Sequence, residues 1–267
     1  MKPTRNKHNL HSLNNDVCAM AQASELFTHK AAIYIKARPN YPVEAVDYIF
    51  SNFKTVKPTV VDIGAGPGRF TQLLMKRCSR VYAIEPNESM RKQLTIHLRS
   101  EKNLEAIDSY AEETGLPSGI ADIVTVAHAF HWFDKAKCKE EFTRVLKKGG
   151  KVALLWNIYA DTPAMQEYDN IIHGKCAIKE ALYLREKEIE DNLNGFFVEY
   201  EKKVYNHRKE FEFSSILSLS ESAHCTPIKN EHGHEFMVKQ LIKWFDKYKS
   251  KGKVEFSYNC ILFFGDL

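Results

Sequence analysis

Asp62 and Glu85 are acids placed at the ends of apolar runs, "PTVVDI" and "RVYAIEP". A carboxylate in such a run is expensive to bury without a partner, so packing alone does not account for either. Between them lies "VVDIGAGPGRFTQLL", residues 60 to 74, where Gly64, Gly66 and Gly68 alternate with small residues. Glycines at that spacing let the backbone turn sharply and approach a ligand with no Cβ in the way. A carboxylate at the end of the second strand of an α/β unit hydrogen-bonds ribose hydroxyls. Asp62 is placed either to orient the loop or to meet a ligand's ammonium through water.

The glycine spacing narrows the ligand. A dinucleotide fingerprint reads Gly-x-Gly-x-x-Gly, and Arg69 stands where its last glycine belongs, which disfavours a nicotinamide-dependent oxidoreductase. No Gly-Lys-Ser/Thr follows, which excludes a P-loop. What remains is a site for ribose, adenine and an adjacent charged group without a pyrophosphate. S-adenosylmethionine fits that description.

Further along, "AHAFHWFD" gathers His128, His131, Trp132 and Phe133 just beyond the most apolar run. His131 is either a structural histidine with both nitrogens satisfied or a general base. Trp132 and Phe133 either pack the strand exit or line a pocket. Arg38 either pairs structurally or meets an anion. "EHGHE", around His232 and His234, has polar surroundings that favour simple solvation, so no metal site is expected.

These residues need a scaffold, and the hydrophobic periodicity supplies one. A helix is expected over "VEAVDYIFSNF" after Pro42. Short strands are expected at "PTVVDI", "RVYAIEP", "NLEAID", "ADIVTVAHAF" and "KVALLWN". Between them fall helices at "RFTQLLMKRC", "NESMRKQLTIHLRS" capped by Asn87, and "DKAKCKEEFTRVLKKGG" capped by Asp134 and stopped by its glycines. Such alternation implies a parallel sheet with right-handed crossovers. Residues 158 to 195 then turn polar and mostly helical. The strand "EYEKKVYNHRKEF", the helix "EFMVKQLIKWFDKYKS" and the strand "KVEFSYNCILFFG" complete the chain, and "SLSESAHCTP" between them reads as a helix-terminal turn. The expected fold is a Rossmann-like α/β seven-stranded sheet, mostly parallel with the last strand antiparallel. Helices cover both faces, and a helical lid or insertion spans about 158–195. Residues 1–26 form a flexible or lid-forming segment and 27–267 the main domain.

The 267 residues are 44% hydrophobic and 27% charged with a formal net charge of +4, an ordinary balance for a soluble domain. Lysines and arginines are interleaved with acids rather than gathered in a stripe, so a nucleic-acid partner is not expected. No apolar window is long enough to span a membrane, and the first twenty residues lack the apolar core of a signal peptide. Six scattered cysteines with no Cys-x-x-Cys pair suit reduced thiols in the cytoplasm. Nothing in the sequence indicates the oligomeric state.

"VVDIGAGPGRF" resembles the first motif of class I S-adenosylmethionine-dependent methyltransferases, and "VYAIEPNESM" resembles the second. "YAEETGLPSGIADIVTVAHAFHWFD" resembles the third and fourth, and "FTRVLKKGGKVALLWN" the segment after them with its paired glycines. The upstream "YIKARPNYP", together with "AFHWFD", is similar to a subgroup related to trans-aconitate methyltransferase and the type 11 small-molecule methyltransferases. The resemblance implies that Gly64, Ala65, Gly66 and Gly68 wrap the methionine part of S-adenosylmethionine, with Asp62 beside them. Glu85 would take the ribose hydroxyls, Pro86 and Met90 would lie against adenine, and Tyr110 and Ala111 would border it. Ala127 and His128 would sit under the cofactor's charged end. Tyr34 and Arg38 would approach its amino-acid end or the acceptor. Tyr110 stands where the family often has a small or acidic residue, and His128 where it often has glutamine.

Methyl transfer from a sulfonium is an in-line displacement that needs alignment and exclusion of water. A general base is required only if the acceptor carries a proton, and His131 is placed to serve. The mild basic excess and Arg38 suit a small carboxylic acid as acceptor. The alternative is a non-catalytic module of the same fold that holds the cofactor or its product.

Overall fold

A computed structural model of the chain describes residues 38–53, 57–173, 186–223 and 226–267. Five strands follow one another in the first part: β1 (Thr59–Ile63), β2 (Arg80–Ile84), β3 (Leu104–Ile107), β4 (Ala121–Ala127) and β5 (Leu146–Tyr159). They pair in parallel in the order β3-β2-β1-β4-β5. The helices α1 (Val43–Ser51), α2 (Thr71–Leu74), α3 (Glu88–His97) and α4 (Lys135–Val145) alternate with them. Two long strands, β6 (Glu199–Phe211) and β7 (Val254–Asp266), complete a seven-stranded sheet. β7 runs antiparallel between β5 and β6, as the sequence implied. The crossovers carry α5 (Pro163–His173) and α6 (Glu186–Asn192) before β6, and α7 (Phe213–Glu221) and α8 (His234–Tyr248) before β7.

Local chemistry sets the element ends. Asn87 caps α3 by accepting from Met90 N at 2.9 Å, and Asp134 caps α4 by accepting from Ala136 N and Lys137 N. Where the sequence predicts a helix over residues 69–78, only α2 forms. Tight backbone turns surround it (Leu73 N to Phe70 O and Arg77 N to Leu74 O, both 2.9 Å). Asn103 then takes the carbonyls of Met75 and Cys78 at 3.1 Å each, which ends helical bonding. α4 stops at Val145, ahead of the glycines expected to stop it, and β5 takes over at Leu146. The register between β4 and β5 shifts there, and a Cβ on Gly150 would lie 3.1 Å from the Asp122 carbonyl. β5 also runs two residues beyond Asn157. Ser218–Glu221, expected in a turn, form the last turn of α7.

Three apolar layers hold these elements. One lies between the sheet and α1 with α2, through Val46, Ile49, Phe70 and Leu74 against Val60, Ile123 and Leu262. A second, on the opposite face, brings Phe142 of α4 and Ile189 of α6 against Val124, Leu154 and Trp156. The third stands beyond the carboxyl end of the parallel strands. There β5, β6 and β7 project past their neighbours and pack Tyr168, Trp244, Phe256 and Tyr258 with α5, α7 and α8. Trp244 Nε1 donates to the Ala164 carbonyl at 2.8 Å, tying α8 to the start of α5.

Candidate active site

Strand order reverses between β1 and β4, so the turns after β1, β2 and β4 open into one crevice at the carboxyl edge, where open α/β sheets bind ligands. The turn after β1 is the glycine loop. Gly64, Gly66 and Gly68 have φ of 64°, 55° and 87°, backbone that disfavours any residue with a Cβ. Their surroundings differ. A Cβ on Gly64 would stand 2.6 Å from that of Ala129, and one on Gly68 would press Leu94 and Leu98 at 3.1 and 3.2 Å. Gly66 would meet nothing within 4 Å, so its bare face borders open space. The close helix packing assigned to the last glycine of a dinucleotide fingerprint is thus supplied by Gly68, one position before Arg69.

Glu85 closes over this loop. Its Oε2 accepts from Gly66 N at 2.7 Å and its Oε1 from Asn87 N at 2.9 Å. Each oxygen keeps a further lone pair. The residue is 8% exposed, and burial raises its carboxyl above the usual range against the pull of the Asn87 and Gly66 N–H groups. Arg91, which the sequence reading passed over, braces this corner. It donates to the carbonyls of Glu85 and Pro86 at 2.7 and 3.0 Å and to Asp108 at 2.7 Å, linking the turns after β2 and β3. Only its position four residues beyond the Asn87 cap could have signalled this.

Asp62 is 1% exposed and its oxygens are committed inward. Oδ2 accepts from Thr71 Oγ1 at 2.6 Å and Oδ1 from Thr125 Oγ1 at 2.8 Å. Burial pushes its carboxyl up to about 6, against those two hydroxyls. Of the two roles open to Asp62, this geometry serves orientation of the loop, by joining β1, α2 and β4. Met90 and Ala111 are buried, Pro86 is half-buried, and Tyr110 is 59% exposed at the lip. Ala65 is buried and Ala127 half-buried at the end of β4.

His128 follows β4 with φ 58°, a left-handed conformation uncommon outside glycine, and its N–H donates to Leu155 O at 2.7 Å. Burial, with the Arg38 charge second, lowers its imidazole to about 4, so it is neutral at pH 7. Among the described residues its Nδ1 is buried without a hydrogen-bond partner. His131 sits in a short 3-10 turn, Phe130–Trp132, with its ring 5.7 Å from that of His128 and 5.0 Å from Trp132. Phe130 anchors that turn against Phe133, Trp156 and Phe196. Arg69 donates to the Arg38 carbonyl and, at 2.6 Å, to Asn40 Oδ1, which fastens residues 38–40 beside the glycine loop. Tyr34 lies outside the described residues. His234, expected in solvent, instead places Nε2 2.8 Å from Glu221 Oε1. No group of three metal-ligating side chains occurs among the described residues.

The crevice therefore offers a bare backbone loop and a carboxylate clamp at the switch point. Comparison with known proteins agrees with this arrangement. Residues 61–154 match the family described as "Methyltransferase domain". That match runs from β1 into β5. An uncharacterized methyltransferase of Mycobacterium tuberculosis is 35% identical over 52% of this chain and 55% of its own length, so the match spans about half of that relative. A second, from Schizosaccharomyces pombe, is 24% identical over 86% of this chain and 92% of its own. Among solved structures, a protein of Anaeromyxobacter dehalogenans described as a type II methyltransferase aligns with a TM-score of 0.62 at 19% identity, covering 86% of this chain and 97% of that one. The YcgJ protein of Bacillus subtilis aligns at 0.57 and 17% identity, covering 84% and 99%. At those identities the likeness is one of fold, and it covers most of the chain. No helix among the described residues is long and apolar enough to cross a membrane.

Proposed function

We propose that the chain transfers the methyl group of S-adenosylmethionine to a small molecule, and that the transfer forms the methyl ester of a carboxylic acid. The observation that carries the cofactor reading is the clasp of Glu85 on Gly66 N at 2.7 Å. It sets a carboxylate with spare lone pairs beside a backbone loop whose middle glycine faces open space, the pairing a ribose and an aminoacyl chain require. Gly64, Ala65, Gly66 and Gly68 would wrap the methionine part, Glu85 the ribose, and Pro86, Met90, Tyr110 and Ala111 the adenine. Ala127 and His128 would face the charged end, and Tyr34 and Arg38 would approach that end or the acceptor. The bound cofactor supplies an activated methyl on a sulfonium.

What the protein must add is alignment and dryness. Asp62 fixes the loop through Thr71 and Thr125, and the Phe130 anchor fixes the turn that carries His131. A carboxylate acceptor attacks without losing a proton. His131 would accept the proton of an acceptor that carries one.

The test is turnover. S-adenosylmethionine labelled in its methyl group, incubated with the protein and a panel of small carboxylic acids, should yield S-adenosylhomocysteine and a base-labile methyl ester. Cofactor binding without product on any acid, alcohol, thiol or amine would favour the alternative, a module that holds the cofactor without using it.

A further inference from the structure

A second polar locus lies beyond the glycine loop, where the tips of β5, β6 and β7 meet α5. Tyr258 of β7 stands opposite Tyr159 of β5 and His207 of β6. Its ring stacks on His207 with centroids 5.1 Å apart and leans on Tyr159 at 5.4 Å. His207 Nε2 lies 3.2 Å from Asn157 Oδ1, and Asn157 Nδ2 donates to the Asn40 carbonyl at 3.3 Å, so this column abuts the segment that carries Arg38.

The hydroxyl of Tyr258 is the anomaly. The residue is 3% exposed, and among the described residues its Oη has no hydrogen-bond partner. Neighbouring Tyr168 is equally buried, yet its hydroxyl is 2.9 Å from Ser220 Oγ. A buried hydroxyl without a partner is costly, and such groups mark places where something else binds. The Arg38 charge acts on Tyr258, Tyr168 and His128 alike, and the Asn157–Asn40 bond sets the segment that carries Arg38 against this column. Arg69 adds a second cation against the same segment, and its charge also reaches Lys209 at the tip of β6. A donor hydroxyl and a guanidinium together make a receptor for a carboxylate.

We propose that the Tyr258 hydroxyl and the Arg38 guanidinium bind an anionic group of the methyl acceptor, which is therefore a small carboxylate entering between α5 and the tips of β5 and β7. The proposal rests on the methyltransferase reading and adds to it the residues that select the acceptor. Tyr258 is a specificity residue here, while the atoms that react lie nearer His128 and the glycine loop.

The test uses the full chain saturated with S-adenosylhomocysteine and titrated with acetate, succinate and glutarate, each beside its neutral amide. Saturable binding of at least one acid, about tenfold or more tighter than its amide, is expected, with Tyr258→Phe weakening that acid about tenfold or more. The same variant should bind S-adenosylhomocysteine as the wild type does. Its ligand-free melting temperature should be unchanged or higher, because it removes a hydroxyl that has no partner. The proposal is overturned if no acid binds the loaded protein, or if the variant binds the acid as well as the wild type. A melting temperature several degrees lower would also overturn it, since the hydroxyl would then be structural. Failure of the wild type to bind S-adenosylhomocysteine would instead strike the methyltransferase reading itself.

Discussion

Single residues in the crevice are set by competing costs, and substitutions should separate them. Asp62 carries a carboxyl that burial pushes up to about 6, above its value of about 4 in an unfolded chain. Between those values the folded protein holds a proton that the unfolded chain has released. The contribution of Asp62 to stability is therefore fullest at acid pH, declines as pH rises from about 4 to about 6, and is constant above. By that linkage, keeping the charge buried costs about 2–3 kcal/mol at neutral pH. Asp62→Asn, which can still bond both threonines, should melt higher than the wild type at pH 7.5 and lose that advantage near pH 4, as scanning calorimetry would read. The glycines make a second contrast. Gly64→Ala meets Ala129 and should lower stability by about 1–3 kcal/mol, whereas Gly66→Ala has room and should cost about 1 kcal/mol. Gly66→Ala should nonetheless weaken S-adenosylmethionine binding, because its methyl enters the space left for the ligand. His131→Ala separates acceptor types. With a carboxylate acceptor kcat should fall less than about tenfold, and with a proton-bearing acceptor by about a hundredfold or more.

At the scale of elements, periodicity and caps carried most of the information. Asn87 and Asp134 were legible as caps because a side-chain oxygen at that point satisfies N–H groups the helix cannot. Asp134→Ala should accordingly lower stability by about 1 kcal/mol in denaturant titration with little change in slope. β6 and β7 were legible because each carries a stretch of period two, Lys203–Arg208 in β6 and Val254–Cys260 in β7. What escaped the sequence depended on partners remote in the chain. α2 ends early because Asn103 takes the carbonyls after it, and α4 ends early because β4 recruits Leu146 into the sheet. The acids at the ends of β1 and β2 pointed to the site, yet the thriftier role of Asp62 shows only once Thr71 and Thr125 lie beside it. Tyr258 and Arg91 gave no such signal, because a tyrosine in a strand and an arginine in a helix are ordinary residues until the fold places them.

For the whole molecule, the matched segment 61–154 ends inside β5, which still has β7 and β6 to pair with. A fragment ending at residue 162 would leave Val152, Leu154 and Trp156 on an open edge strand, and it should aggregate rather than fold. The third apolar layer makes the carboxyl edge a walled crevice, and Trp244→Ala within it should cost about 3–5 kcal/mol. Loop, clamp and wall together define the central claim, which is that this crevice binds S-adenosylmethionine through Glu85. Calorimetry of S-adenosylmethionine with the wild type and Glu85→Ala, with NADH as control, tests it most directly. The account predicts micromolar binding to the wild type, a loss of about tenfold or more in the variant, and no binding of NADH. No binding of S-adenosylmethionine to the wild type, or equal affinity in the variant, would contradict it.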